Sequence, residues 1–410
     1  MAGEKYMKKL FAQRVLNNSN SYINDIFKNS ANPQNISFAG GFPDQDLFPS
    51  DQLKEAYRTA IANSKPDIFQ YQSVQGSPSL RQKIANRMIK NSGMMVSSEN
   101  ILLTQGGQQA IDLTAKLLLN KGDSIVVEAP TYMGALTAFD MYEPVYHEIP
   151  IDKDGMQIDI LEQTLKKYPK IKLIYTIPDF QNPTGTLLTS ERRKKMVELA
   201  NKYDVMILED SPYRELKFEG DSVPPVKYYD TEDRVIFISS FSKILSPALR
   251  TGWMIAGKGV MERLLDLKSA TDLQSPAITL AAVDQYLSDN DIDQHIKEMT
   301  DVYRQKRNVM LSAIKRYFPK EITYTIPHGG FFVWVTLPQE INSTQLLIEK
   351  VLPDAHVAYV PSDSQYVSKK ITNAFRLNYT GLNSTIIEEG IKKLGEILRK
   401  EIQLVQLKIG

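Results

Sequence analysis

The sequence predicts an α/β fold for most of the chain, followed by a smaller α+β unit. From about residue 100, short apolar runs alternate with helical patterns, which is typical of a mostly parallel sheet covered on both faces. After residue 303 this alternation gives way to a charged helical stretch and the alternating run 331–335. The 410 residues also exceed what one small core accommodates. We therefore predict an N-terminal segment 1–48 that packs with the smaller domain, a large domain 49–300 and a small domain 301–410.

Apolar runs of four to six residues predict the strands of the large domain. They are 101–104, 124–128, 171–176, 205–209 and 234–239. Helices are predicted between them, among them 109–119 after a glycine turn and 189–203 before the fourth strand. Polar residues that follow these strands should meet at one edge of the sheet, where open α/β sheets bind ligands.

Composition excludes several classes of function. The net charge is +1, so the chain shows no sign of a nucleic-acid or membrane partner. It has no cysteine, which excludes disulfides, thiolate metal sites and cysteine nucleophiles, and we expect no metal. No apolar run reaches the ~20 residues that a membrane span requires, and the first twenty residues lack a secretory apolar core. These features favour a cytoplasmic protein.

The strongest chemical signal is the stretch Ser-Ser-Phe-Ser-Lys at 239–243, with Arg250 seven residues further on. Lys243 follows a predicted strand and therefore lies at the end of the sheet. A lysine amine can form a Schiff base with an aldehyde cofactor. The hydroxyls of Ser240 and Ser242 and the guanidinium of Arg250 suit the phosphate of that cofactor. Taken alone, a Ser-x-Lys triplet also fits a surface lysine in a serine-rich loop.

Other motifs point to the same chemistry. Gly106, Gly107 and Gln108 lie between a strand and a helix start, where backbone N–H groups and the helix dipole attract an anion. Asn182 precedes a proline and is held extended, so its amide can enter a cleft. Asp210 ends a strand, and a carboxylate there can keep a pyridine nitrogen protonated. Each of these also fits a plain turn or a capping residue.

Two tyrosines complete the set. Tyr213 lies three residues after Asp210 and could donate a hydrogen bond to a phenolate oxygen. Tyr132 follows a Pro-Thr pair and could stack on a flat cofactor ring. Most tyrosines are simply packing residues, so neither decides the question alone.

The order of these pieces resembles the pyridoxal-phosphate-dependent aminotransferases of fold type I, class I/II. The resemblance covers nearly the whole length from Ile36, and is closest to the branch of 2-aminoadipate, kynurenine and aromatic aminotransferases. It rests on Ser-Phe-Ala-Gly-Gly-Phe-Pro at 37–43, Phe-Gln-Tyr-Gln-Ser at 69–73, Gln-Gly-Gly-Gln-Gln at 105–109, Glu-Ala-Pro-Thr-Tyr-Met-Gly at 128–134, Phe-Gln-Asn-Pro-Thr-Gly at 180–185, Glu-Asp-Ser-Pro-Tyr-Arg at 209–214, Ser-Phe-Ser-Lys-Ile-Leu-Ser-Pro-Ala-Leu-Arg at 240–250 and Phe-Arg-Leu-Asn-Tyr at 375–379.

The resemblance implies a seven-stranded, mostly parallel sheet in the large domain and a homodimer that acts on amino acids and 2-oxo acids. It implies that Lys243 binds the cofactor and acts as general base and acid. Asp210 would pair with the pyridine nitrogen, Tyr132 would stack on the ring, and Asn182 and Tyr213 would bind the phenolic oxygen. The implied phosphate ligands are Gly106, Gly107, Gln108, Ser240, Ser242, Arg250 and, from the other subunit, Tyr71. The implied substrate contacts are Gly40, Gly41, Asn182 and Arg376, whose guanidinium would clamp the α-carboxylate.

The sequence departs from the family pattern at three places. Gly107 replaces a common serine, and the segment 357–363 lacks a common glycine pair, so we expect a different shape for the loop 362–372. Asn24 stands where 2-aminoadipate-specific relatives can carry a cation, although Arg14 and Lys28 are not far away. We therefore expect aromatic and large aliphatic substrates, weaker use of 2-aminoadipate, and 2-oxoglutarate as acceptor.

Two other functions share this fold. Some transcription regulators use it as a ligand-sensing domain, but they need a DNA-binding domain of ~60–70 residues ahead of it, and 35 residues precede Ile36. A β-elimination on the same cofactor would use the same cofactor residues. The sequence leaves that second alternative open.

Overall fold

The computed structural model describes residues 10–17, 32 and 34–409. Its strands are β1 Ile36–Ser37, β2 Ile101–Thr104, β3 Ser124–Ala129, β4 Val145–Asp152, β5 Gly155–Met156, β6 Ile171–Thr176, β7 Met206–Asp210, β8 Val235–Ser240, β9 Gly252–Ile255, β10 Thr323–Tyr324, β11 Phe332–Thr336, β12 Val357–Ala358, β13 Val360–Pro361 and β14 Ala374–Asn378. Its α-helices are α1 Gln13–Asn17, α2 Ser50–Ala62, α3 Pro78–Ser92, α4 Gly107–Leu118, α5 Met133–Asp140, α6 Ile158–Lys167, α7 Ser190–Tyr203, α8 Lys258–Asp272, α9 Ala277–Asp289, α10 Ile292–Tyr317, α11 Ser343–Leu346 and α12 Ser384–Ile409.

The large sheet has the order β2-β9-β8-β7-β6-β3-β4-β5. Only β9 and β5 run against the other strands, so the predicted mostly parallel α/β sheet is confirmed. Over the described residues it has eight strands where the family resemblance implied seven. The additional strand β5 has two residues and folds back on the end of β4, through a turn in which Gly155 has a φ of 95°.

Both faces of this sheet are covered. In β3, Ile125 and Val127 pack into the larger apolar core, whereas Val126 packs into a second core on the opposite face. Successive side chains of a strand point to opposite faces, so two cores on alternate residues mean two apolar layers. All residues of β2 and β8 are buried, which explains why these strands read as continuous apolar runs.

Helix boundaries differ from the prediction more than strand boundaries do. Helix α4 begins at Gly107 rather than at residue 109. Helix α10 begins at Ile292, well before the change of pattern at residue 303, because the carboxylate of Asp291 accepts hydrogen bonds from the N–H groups of Asp293 and Gln294. Such a cap satisfies N–H groups that have no partner within the helix.

The second part of the chain contains a four-stranded antiparallel sheet with the order β10-β11-β14-β13. Strand β1 pairs in parallel with β12, and the N–H of Phe38 donates to the carbonyl of Ala358 at 2.8 Å. This contact favours packing of the N-terminal segment against the small domain, and the domain boundaries themselves remain a prediction. Within the described ranges, no helix is both long and apolar enough to cross a membrane.

Candidate active site

A cavity of about 400 Å³ opens where the parallel strands β6, β7 and β8 end and helix α4 begins. Most of the predicted site residues line it. They are Gly41, Gly107, Gln108, Tyr132, Asn182, Asp210, Tyr213, Ser240, Ser242, Lys243, Arg250 and Arg376. Parallel strands place their carboxyl ends at one edge, so residues far apart in sequence meet there.

Lys243 lies three residues beyond the end of β8, and its Nζ donates a hydrogen bond to the carbonyl of Gly41 at 2.9 Å. Burial lowers the pKa of Lys243 to about 8, and the charges of Arg376 and Arg250 act in the same direction while Asp210 opposes them. A lowered pKa leaves more of the amine uncharged near neutral pH. An uncharged amine is the form that attacks a carbonyl carbon.

Asp210 is the last residue of β7 and is buried at the floor of the cavity. The hydroxyl of Tyr175 donates a hydrogen bond to its Oδ2 at 2.8 Å. Burial raises the pKa of Asp210 to about 6, whereas the Tyr175 hydrogen bond and the charge of Lys243 lower it. A buried carboxylate facing a cavity is stabilised by a cationic group placed against it, such as a protonated ring nitrogen.

Ser240, Ser242, Arg250 and the turn of Gly106 and Gly107 surround the start of α4 and are called the phosphate cradle below. The hydroxyl of Ser240 donates to Ser242 Oγ at 2.7 Å, and Arg250 Nη2 donates to a backbone carbonyl of the glycine turn at 2.8 Å. Gly106 has a φ of 79°, and a Cβ on it would lie 2.6 Å from Arg250 Nη2, so a side chain there would displace the guanidinium. A Cβ on Gly107 would meet nothing within 4 Å, so the space above the helix N-terminus is open. Hydroxyls, a guanidinium and free N–H groups together suit a phosphate.

Arg376 extends into the cavity from β14. Its Nη1 donates to Asn182 Oδ1 at 2.8 Å, its Nη2 donates to the carbonyl of Ala39 at 2.5 Å, and its guanidinium carbon lies 4.3 Å from the centre of the Phe332 ring. Its Nε is buried without a hydrogen-bond partner, and burial lowers the pKa of Arg376 to about 10. No carboxylate pairs with this cation among the described residues, which fits it to bind a substrate carboxylate.

The two predicted tyrosines line the same cavity, Tyr213 buried and Tyr132 partly buried. Burial raises the pKa of Tyr132 and of Tyr213, so both keep their phenolic protons. The side chain of Asn182 is near enough to lower the pKa of Tyr213 somewhat against the effect of burial, so the two predicted partners of a phenolic oxygen lie side by side. Gly40 is packed so closely that a Cβ on it would lie 2.4 Å from the Phe42 ring.

Three predicted site residues are not in the lining. Gly40 and Gly106 directly precede the lining residues Gly41 and Gly107, whereas Tyr71 lies apart from the others. Its side chain is 76% exposed and does not line the cavity. It belongs to a segment that contacts the end of α8, where the N–H of Gln72 donates to the side chain of Gln274. Within one chain, Tyr71 therefore does not contribute to the cavity.

Sequence reasoning gave no role to the polar side chains beneath the cavity. The carboxyl of Glu128 accepts from Thr176 Oγ1 at 2.7 Å and from Gln181 Nε2 at 3.0 Å, and Gln181 Nε2 also donates to the carbonyl of Pro130 at 2.8 Å. Burial raises the pKa of Glu128 to about 7. This network anchors the loop that carries Asn182. These side chains could have been found from the sequence, because Glu128 and Tyr175 are polar residues within otherwise apolar strand runs.

Of the two cations named as lying near Asn24, only Arg14 falls in the described part of the chain. Arg14 is exposed on α1 and does not line the cavity. Burial raises the pKa of Tyr142 and the positive charge of Arg14 opposes this, which places Arg14 near Tyr142. Asn24 and Lys28 lie outside the described residues.

The cavity meets the chemical requirements of pyridoxal phosphate. It offers an amine with a lowered pKa for the aldehyde, a phosphate cradle that a side chain at Gly106 would close, and a buried carboxylate for the ring nitrogen. Arg376 lines the same cavity and has no carboxylate partner among the described residues, which suits a substrate carboxylate. These observations fit a cofactor site with an amino-acid site beside it.

Comparison with known proteins agrees with this geometry. Residues 34–394 match the family described as aminotransferase class I and II. The chain is 38% identical to aromatic-amino-acid aminotransferase 1 of Thermococcus litoralis over 97% of this chain and 95% of that protein. The kynurenine aminotransferase of Pyrococcus horikoshii, solved in complex with PMP, is similar with a TM-score of 0.92 and 36% identity, covering 96% of this chain and 98% of that one. The α-aminoadipate aminotransferase of Thermus thermophilus, complexed with N-(5'-phosphopyridoxyl)-L-leucine, has a TM-score of 0.89 and 32% identity, covering 97% and 99%.

The chain belongs to the class I and II aminotransferases. It is a pyridoxal-phosphate-dependent transaminase, of the branch that includes the aromatic, kynurenine and 2-aminoadipate enzymes. The predicted fold class, enzyme class and cofactor are thereby confirmed.

Proposed function

We propose that this transaminase transfers the α-amino group of amino acids with aromatic or large aliphatic side chains to 2-oxoglutarate. The observation that supports it most is the lining of the cavity. Among the described residues, its cationic side chains are Lys243, Arg250 and Arg376, and each has a separate role in the reaction. Its uncharged lining includes Phe42, Ile111, Met133, Ile177, Pro212 and Pro247.

Pyridoxal phosphate, when bound, withdraws electrons from the substrate Cα and supplies the carbon that receives the amino group. Lys243 would hold the cofactor through its Nζ amine. With that amine free and the substrate bound, Nζ would accept the proton of the substrate Cα and then give it up again, so Lys243 would serve first as base and then as acid. Its lowered pKa keeps it competent to accept that proton near neutral pH.

The other residues orient the substrate and stabilise the bound cofactor. Asp210 keeps the proton on the ring nitrogen, and Arg376 with Asn182 fixes the substrate α-carboxylate so that the Cα–H bond faces Lys243. The Arg376–Asn182 hydrogen bond of 2.8 Å shows that the two groups are already positioned together. Tyr132 would pack against the ring, and Tyr213 with Asn182 would bind the phenolic oxygen.

Specificity follows from the charge of the lining. An apolar side chain gains ~1.5–3 kcal/mol on burial, whereas a carboxylate buried without a partner is strongly disfavoured. The distal carboxylate of 2-oxoglutarate carries the same cost, so we propose that a mobile cation such as Arg14 swings in when this acceptor binds. We expect kcat/KM for phenylalanine and leucine to exceed that for 2-aminoadipate by about 10-fold or more. Alanine as donor reports the transfer chemistry without a large side chain and serves as the control. A hundredfold preference for 2-aminoadipate would show that a cation from the undescribed N-terminal residues, or Arg14, reaches the cavity.

We also propose a homodimer with a shared active site. Tyr71 is exposed beside two other exposed apolar residues, Phe69 at 70% and Leu273 at 50%, which suits a surface covered by a second copy. In the dimer Tyr71 would reach the phosphate of the neighbouring subunit.

Mixing two inactive variants tests this arrangement. A Lys243→Ala subunit paired with a Tyr71→Ala subunit forms one site that contains both native residues, so the heterodimer should have about half the activity of the native dimer. An equal mixture in which subunits exchange freely should therefore recover about a quarter. Each variant mixed with itself is the control. A protein that is monomeric by sedimentation and fully active at the same concentration rules out the shared site.

A further inference from the structure

The buried carboxylate of Asp210 has one side-chain hydrogen-bond donor in the described part of the chain, the hydroxyl of Tyr175 at 2.8 Å. We propose that Tyr175 is a positioning residue, whose hydroxyl fixes the orientation of Asp210 and keeps it ionised opposite the cofactor's ring nitrogen. The proposal rests on the role of Asp210 given under the proposed function. Tyr175 itself does not line the cavity, so it acts only through Asp210.

The structure holds Tyr175 rigidly behind Asp210. Tyr175 lies on β6 and Asp210 on β7, and these strands are hydrogen-bonded neighbours in which Tyr175 pairs with Leu208. The Tyr175 side chain is fully buried. Its ring packs edge-on against Phe139 of α5 with centroids 5.4 Å apart and an interplanar angle of 74°. A hydroxyl on a ring packed in this way is a preorganised donor.

The groups around Asp210 explain why its ionisation depends on the Tyr175 hydroxyl. On the β3 side, burial raises the pKa of Glu128, and the negative charge of Asp210 adds to this shift. For Asp210 itself, burial raises the pKa, and the two influences that favour the ionised form are the Tyr175 hydrogen bond and the positive charge of Lys243. Once Lys243 binds the cofactor it no longer carries a free ammonium. The Tyr175 hydroxyl then remains to stabilise the anion, because a hydrogen bond to the charged form favours ionisation.

Tyr175→Phe separates this role from simple packing, since it keeps the ring against Phe139 and removes only the hydroxyl. With the holoenzyme loaded with cofactor labelled by nitrogen-15 in the ring, we expect the ring signal at neutral pH to move toward the value of an unprotonated pyridine. We expect kcat to fall about 10-fold, the scale of one hydrogen bond to a charged group, with KM little changed. Tyr359→Phe is the control, because its buried hydroxyl donates to the carbonyl of Ser343 at 2.7 Å, away from the cavity.

The outcomes are distinct. An unmoved nitrogen-15 signal in Tyr175→Phe overturns the proposal, even if kcat falls. If Asp210→Asn moves the signal and Tyr175→Phe does not, only the role of Tyr175 fails; if neither moves it, the role of Asp210 fails as well. Should Tyr175→Phe not fold, 3,5-difluorotyrosine at position 175 replaces it. This stronger donor should move the signal in the opposite direction, and a signal that stays in place would overturn the proposal.

Discussion

Lys243→Ala is expected to lower kcat by about 10⁴-fold or more, since general acid–base catalysis alone contributes up to that factor. In the described residues Lys243 is the only lysine that lines the cavity, so no other amine can take the proton from the substrate Cα. Single-turnover measurements with phenylalanine report this step directly. The variant should still bind cofactor through the phosphate cradle, but without a covalent bond.

A matched control exists for the loss of a mostly buried lysine. Lys227 is 11% exposed and pairs with Asp230 at 2.6 Å, away from the cavity. Lys227→Ala should therefore leave kcat near the native value. Full turnover in Lys243→Ala would contradict the role given to that residue.

Asp210→Asn should retain the cofactor and lose about 10²–10³-fold in kcat, which corresponds to about 3–4 kcal/mol for one preorganised electrostatic group. An amide has nearly the size of the carboxylate but cannot hold a proton on the ring nitrogen by its charge. The measurement is kcat together with the cofactor absorbance of the purified variant. Asp230→Asn, at a buried carboxylate away from the cavity, is the control. Unchanged turnover in Asp210→Asn would exclude the proposed role.

Much of the site could be predicted because its residues follow strands. Asp210 ends one apolar run and Lys243 follows shortly after the neighbouring one, and the carboxyl ends of parallel strands meet at the same edge of a sheet. The anion site at the glycine turn before α4 could also be predicted, because such a site needs a helix N-terminus and a backbone that the anion can approach closely.

What the sequence could not predict depends on register and on tertiary contacts. The Tyr175–Asp210 hydrogen bond requires the alignment of β6 with β7, and the Glu128–Gln181 contact requires a loop to fold back over β3. The start of α10 at Ile292 depends on the cap at Asp291, and the change of pattern at residue 303 does not mark it. Substrate choice stays a prediction, since Asn24 lies in the undescribed N-terminal residues.

Peptide mapping after borohydride reduction tests most directly whether this cavity is the catalytic centre. Borohydride converts the bond between cofactor and lysine into one that survives digestion, so mass spectrometry can locate it. We expect the cofactor mass on the peptide that carries Lys243, at about one per subunit, and not on the same peptide of Lys243→Ala. A cofactor found on a different lysine would contradict the assignment of the cavity.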